Sequence, residues 1–180
     1  MKPETEHFLV LSALGSDRAG IIDELARAAS DTRCNIADSR MVVMGLEFAI
    51  IMMVSGTWDA IAKLESQLPA VGRRLGLDIL SRRTEQRPAQ KESIPYSVHV
   101  IALDNPGIVH EIANFFASQG INIEAMETST YAAPHTGSQM FALSMTVNIP
   151  GRVHIASLRE NFMLFCDDRN LDAIIEPYKA

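Results

Sequence analysis

Asp17-Arg18-Ala19-Gly20-Ile21 and Asp104-Asn105-Pro106-Gly107-Ile108 are two versions of one short motif, and each is followed, fifteen residues after its glycine, by Asn-Ile, at Asn35-Ile36 and Asn122-Ile123. Both marks repeat at a shift of 87 (107 − 20 and 122 − 35), so no insertion or deletion falls between them. A self-similar period of this length describes two whole domains rather than the short units of a solenoid. The chain of 180 residues therefore divides into a first domain at 1–85, a linker at 86–95 and a second domain at 96–180.

Domains of this size bury only about 60% of the surface of their unfolded chains, so packing against another domain or a second copy is expected. The net charge of −6, from 16 Lys plus Arg against 22 Asp plus Glu, disfavours direct binding to nucleic acid, which needs a cationic surface. The pairs Arg73-Arg74 and Arg82-Arg83 read as a solvated face. No apolar run reaches the roughly 20 residues of a membrane span, and Lys2-Pro3-Glu4-Thr5-Glu6 does not read as a signal peptide, so the expectation is a cytoplasmic protein without membrane association. Two cysteines, Cys34 and Cys166, and five scattered histidines give no metal-ligand or redox spacing. No metal and no cofactor are expected.

The pattern of each repeat reads β-α-β-β-α-β. Phe8 to Leu14 is a nearly continuous apolar run, the mark of a strand buried on both faces. Ile21, Ile22, Leu25, Ala26 and Ala29 follow at the spacing of an amphipathic helix, and Ile108, Val109, Ile112, Ala113 and Phe116 repeat it. Ile36 to Met44 mixes polar and apolar residues as a half-exposed strand that turns at Gly45-Leu46. Phe48 to Val54 is apolar throughout, and its counterpart Phe141 to Val147 lies at a shift of 93 (141 − 48), so the second hairpin has gained six residues within Thr130 to Ser138. A second helix starts at Thr57 as N-cap, carries Trp58, Ile61, Leu64 and Leu68, and is expected to break or restart at Pro69. Short last strands are expected at Leu77–Leu80 and Leu171–Ile175.

Few topologies accept this order with short right-handed connections, and the ferredoxin-like one, with the first and third strands central, fits best. The fold class is α+β: two tandem βαββαβ domains, each an antiparallel four-stranded sheet with two helices on one face. The Asp-x-x-Gly-Ile turn then sits where a central strand hands over to the first helix, whose free N–H groups suit an anion. A free amino acid offers a carboxylate to those groups and an ammonium to Asp17 or Asp104. Asn35 and Asn122, read as opening the next strand at the same end of the sheet, add an amide that donates and accepts. The alternative is that Asp17 and Asp104 cap the helix, that each glycine packs closely at its turn, and that no ligand is involved.

The two motifs, with Cys34-Asn35-Ile36 and Gly120-Ile121-Asn122-Ile123 behind them, resemble the signature of ACT domains, ferredoxin-like modules that commonly bind amino acids at domain interfaces. A chain of two such domains, with Asn35-Ile36-Ala37-Asp38-Ser39-Arg40 and Glu47-Phe48 in the first, is similar to a family of two-ACT-domain regulators of glycine cleavage genes. The resemblance implies a protein, expected from its small domains to be a homodimer, that responds to a small amino acid, glycine first, and represses genes indirectly by restraining a transcriptional activator. It carries over one site lined by Asp17, Arg18, Ala19, Gly20, Ile21, Asn35 and Asp38. The other is lined by Asp104, Asn105, Pro106, Gly107, Ile108, Asn122 and Glu124.

The sequence departs from the signature at Ala19, where proline is usual, and at Arg33, where the second copy has Gly120. A left-handed backbone would be costly at Arg33, so the first helix is expected to end differently. Ala125 stands where the first copy has Asp38. No Ser-His-acid elbow, phosphate loop or acid pair points to an enzyme. A rival reading is an ACT-fold interaction protein without a ligand, docking through its edges, its helices or the hairpin with Tyr131 and His135.

Overall fold

The computed structural model describes residues 6–86 and 93–178. It contains two compact units, each a β-α-β-β-α-β domain. The first runs through β1 (His7–Ser16), α1 (Ile21–Asp31), β2 (Asn35–Met44), β3 (Glu47–Gly56), α2 (Trp58–Leu75) and β4 (Leu77–Thr84). The second runs through β5 (Ser93–Leu103), α3 (Ile108–Ser118), β6 (Asn122–Ala132), β7 (Gln139–Pro150), α4 (Ile155–Asp167) and β8 (Asp172–Pro177). Both sheets are antiparallel with order β2-β3-β1-β4 and β6-β7-β5-β8, so the two apolar strands of each domain are central. Of the linker 86–95, β5 takes in the last three residues, and 87–92 lie outside the described residues.

Alternation along the strands selects the face that carries the helices. Leu9, Leu11 and Ala13 of β1 and Phe48, Ile50, Met52 and Val54 of β3 are buried in one cluster with Ile21, Leu25, Ile61, Leu64 and Leu68 from the helices. Each such large side chain contributes roughly 1.5–3 kcal/mol on burial. The other face of the sheet is open, contrary to the expectation that β1 is buried on both sides: Leu14 is 53%, Ile51 52% and Leu80 75% exposed. A continuous apolar run cannot report which of its faces a two-layer domain covers.

Pro69 does not interrupt α2, which is continuous from Trp58 to Leu75. Leu64 and Leu68 before the proline, and Val71, Gly72 and Leu75 after it, are all buried on the sheet side. That packing carries the helix across the lost backbone hydrogen bond. The N-cap stands where expected, with Ala60 N–H donating to Thr57 Oγ1 at 3.4 Å.

The domains differ where the duplication has drifted. The β2–β3 hairpin closes on Gly45-Leu46, whereas β6 and β7 gain one more residue pair, Ala132 with Gln139, and a loop at Ala133–Ser138. Ala28 and Ala29 of α1 correspond to Phe115 and Phe116 of α3 (115 − 28 and 116 − 29 are both 87). The two phenylalanines join Phe162 and Phe165 in an aromatic cluster with centroids as close as 5.0 Å.

Candidate functional site

The two Asp-x-x-Gly-Ile turns are built alike. Gly20 precedes α1 with φ 94° and ψ −8°, and Gly107 precedes α3 with φ 102° and ψ −16°. A Cβ at either glycine would meet nothing within 4 Å, so these positions need glycine for its left-handed backbone rather than for close packing. The turns are pinned to the neighbouring hairpins: Asp17 N–H donates to the Leu46 carbonyl at 2.9 Å, and Asp104 N–H to the Gln139 carbonyl at 2.9 Å.

Neither helix start has a side-chain cap, so Asp17 and Asp104 do not cap. The first intrahelical bonds, Glu24 N–H to Gly20 at 3.1 Å and Glu111 N–H to Gly107 at 3.0 Å, leave the preceding N–H groups open to an acceptor. Asp17, Arg18, Ala19 and Gly20 are exposed while Ile21 is buried, and Asp104, Asn105, Pro106, Gly107 and Ile108 repeat that pattern. Asn105 Nδ2 donates back to the Leu103 carbonyl at 3.4 Å. The turns are thus polar, open and preformed.

Asn35 and Asn122 are not at that end of the sheet. Asn35 pairs with Ser55, which pairs with Phe8, whereas the turn follows Ser16. Asn122 pairs with Asn148, which pairs with Pro95, whereas its turn follows Leu103. Eight residue steps (16 − 8 and 103 − 95) separate turn and asparagine, about 26 Å at the usual rise of a strand. A β-α-β crossover returns the chain to the end where its first strand began, so the turn and the asparagine close opposite ends of one sheet. Within a domain no free amino acid spans them.

Each asparagine lies beside a β-bulge, between Ile36 and Asp38 in one domain and between Ile123 and Ala125 in the other. In the second, Asn122 Nδ2 donates to Glu124 Oε1 at 3.1 Å and Asn148 Nδ2 donates to the same oxygen at 2.7 Å. Asn148 escaped the sequence reading because its counterpart is the buried Ser55. In the first, Asp38 pairs with Arg40. A cleft of about 440 Å³ opens beside Asn35, lined by Ser30, Arg33 and Ile36 among others.

Arg33 has φ 61°, so α1 ends as α3 does, where Gly120 has φ 68°, and not differently as expected. Cys34 N–H reaches the Ala29 carbonyl at 2.9 Å and Ile121 N–H the Phe116 carbonyl at 3.0 Å, the same closing bond in both copies. Thr32, buried, donates to Ala28 and Ala29 at 3.0 and 2.9 Å and holds the end in place. The sequence reading also missed a repeated ion pair: Arg74 to Glu24 at 2.7 Å and Arg169 to Glu111 at 2.6 Å tie the last turn of α2, and the residues just beyond α4, to the first turn of the neighbouring helix. Arg83 pairs with Glu65 at 3.0 Å and lies over Trp58; all four arginines of the two basic pairs are exposed, and Arg74 and Arg83 carry surface ion pairs there.

Residues 7–81 and 90–162 each match a family model described as ACT domain. The chain belongs to the ACT-domain family. As a tandem ACT protein it is 33% identical, over 97% of its length and 92% of the relative's, to the glycine cleavage system transcriptional repressor of Escherichia coli (strain K12), and equally to that of Shigella flexneri. The crystal structure of a candidate glycine cleavage system transcriptional repressor superposes with TM-score 0.74 at 26% identity, covering 97% of this chain and 99% of that one. A protein from Galdieria sulphuraria superposes with TM-score 0.78 at 27% identity, covering 97% and 100%. These likenesses support a regulatory role. Among the described residues, no helix of this ACT protein is long and apolar enough to cross a membrane.

Proposed function

We propose that the chain is an amino-acid-responsive regulator, glycine being the first ligand to test, that represses glycine cleavage system genes indirectly by binding a transcriptional activator in the cytoplasm. The observation that carries the reading is the pair of similarly built turns at Gly20 and Gly107, each an uncapped helix start beside an aspartate that no side chain engages among the described residues. Carboxylate at the N–H groups and ammonium at Asp17 or Asp104 is the complementary arrangement. The net charge of −6 fits a protein that acts on a protein partner rather than on a promoter.

Turn and asparagine stand at opposite ends of one sheet, so a ligand touching both cannot take them from one domain, and a homodimer is one arrangement that supplies a second. Titration calorimetry with the free amino acids, followed by Asp104→Ala and Asn122→Ala, tests the reading. A second reading, an ACT-fold docking module without a ligand, is favoured by the open apolar face of the first sheet around Leu14, Ile51 and Leu80. Capture of the activator by a chain that binds no amino acid would support it.

A further inference from the structure

We propose that the cleft between the C-terminal end of α1 and the start of β2 is a carboxylate site of its own, apart from the turn of the same domain, with the Arg33 guanidinium as its anchor and the Asn35 amide beside it; the proposal rests on the amino-acid reading for the identity of its ligand.

Arg33 occupies a backbone conformation that favours glycine, with φ 61°, and the duplicate domain uses Gly120 at the same place. An arginine held there at a conformational penalty has a use for its side chain. Arg27, Arg40, Arg74, Arg83 and Arg169 all have carboxylate partners. Among the described residues the Arg33 guanidinium has neither an ion pair nor a hydrogen bond. Arg33, exposed, is one of the residues that line an open cleft of about 440 Å³, together with Ser30, Asn35, Ile36, Ala26 and Ala29. That volume is in the range of small-molecule sites.

Two features of the second domain bear on this independently. Phe116, fully buried, stands at the position of Ala29, a small residue that lines the cleft in the first domain. Where Gly120 lacks a side chain, another arginine arrives from the stretch between β7 and α4: a Cβ on Gly120 would lie 3.1 Å from Arg152 Nη2. Two different sequence routes thus place a guanidinium at the same end of the same element.

The chemistry follows from the groups. A guanidinium presents N–H donors in a planar fork that matches the two oxygens of a carboxylate. The Asn35 amide supplies a further donor or an acceptor for an ammonium. Ala26, Ala29 and Ile36 offer a small apolar wall, which suits a ligand with little or no side chain. Complementing the dipole at the end of α1 is the other role open to a cation here, and it makes the opposite forecast for stability.

The test uses the full chain, labelled with ¹⁵N and titrated with glycine, with acetate and with glycinamide, which lacks the carboxylate. Glycine and acetate are expected to shift the Arg33 Nε–H and Asn35 side-chain resonances, and glycinamide is not. Arg33→Gly is expected to weaken glycine binding by about tenfold or more while the protein unfolds at the same or a higher urea concentration, and Arg33→Lys to fall between. Unchanged glycine affinity in a folded Arg33→Gly protein overturns the site and leaves amino-acid sensing standing. Acetate shifts at Arg33 without binding of any amino acid support the site and overturn the sensing. No shift at Arg33 or Asn35 with either carboxylate overturns the site.

Discussion

Arg33 and Gly120 hold the same left-handed backbone, φ 61° and 68°, at the ends of equivalent helices. A side chain is carried where the duplicate carries none. For L-residues this conformation is unfavourable by roughly 1–2 kcal/mol, partly offset by the greater entropy that glycine loses on folding. Arg33→Gly is therefore expected to stabilise the first domain by about 0.5–1 kcal/mol, read as a higher urea midpoint at unchanged slope. A fall in the midpoint would show that the guanidinium stabilises the helix end.

The glycines before α1 and α3 should behave in the opposite sense. Gly107→Ala meets no steric obstacle, so its expected destabilisation, about 1–2 kcal/mol, is purely conformational. Gly20→Ala should match it. Urea unfolding of both variants checks this, and a neutral substitution would mean that the turn relaxes freely to another backbone.

Much of this was legible from the duplication itself. Two copies of Asp-x-x-Gly-Ile, each between a central apolar run and a helical stripe, are enough for element order and strand order, whereas β2, expected to be half-exposed, is exposed along its whole length. Direction along the sheet was harder to read. Motifs fifteen residues apart look adjacent, yet the helix between Gly20 and Asn35 spends those residues crossing the domain. Arg33 illustrates a second limit: propensity argued against a left-handed arginine, while the closing bond from Cys34 to Ala29 and the buried Thr32 impose it. Asn148 was invisible because a duplicate in which serine stands at the same place supplies no repeated signal.

Cys166 gives a pH test. Burial, reinforced by the negative charge of Asp167 and opposed by Arg169, pushes its thiol up from 9.0 to about 11. The unfolded chain then releases the proton first, so the thiol's contribution is fully present below about pH 9 and is lost as pH rises toward 11. Unfolding followed from pH 7 to 11 should show this alkaline loss, and Cys166→Ala should reduce it. An unchanged profile in the variant would assign the loss to other groups.

The purified chain should not shift promoter DNA by itself at moderate salt, because its acidic balance cannot displace phosphate counterions. Electrophoretic mobility with and without the activator separates the routes. Tight, salt-resistant binding by the chain alone would overturn indirect repression.

Titration calorimetry of the folded chain against the twenty amino acids bears most directly on the central claim. The account predicts heat with a small amino acid, glycine first, and weaker binding when Asp104 or Asn122 is replaced by alanine. No heat with any amino acid, in protein shown to be folded, would contradict it.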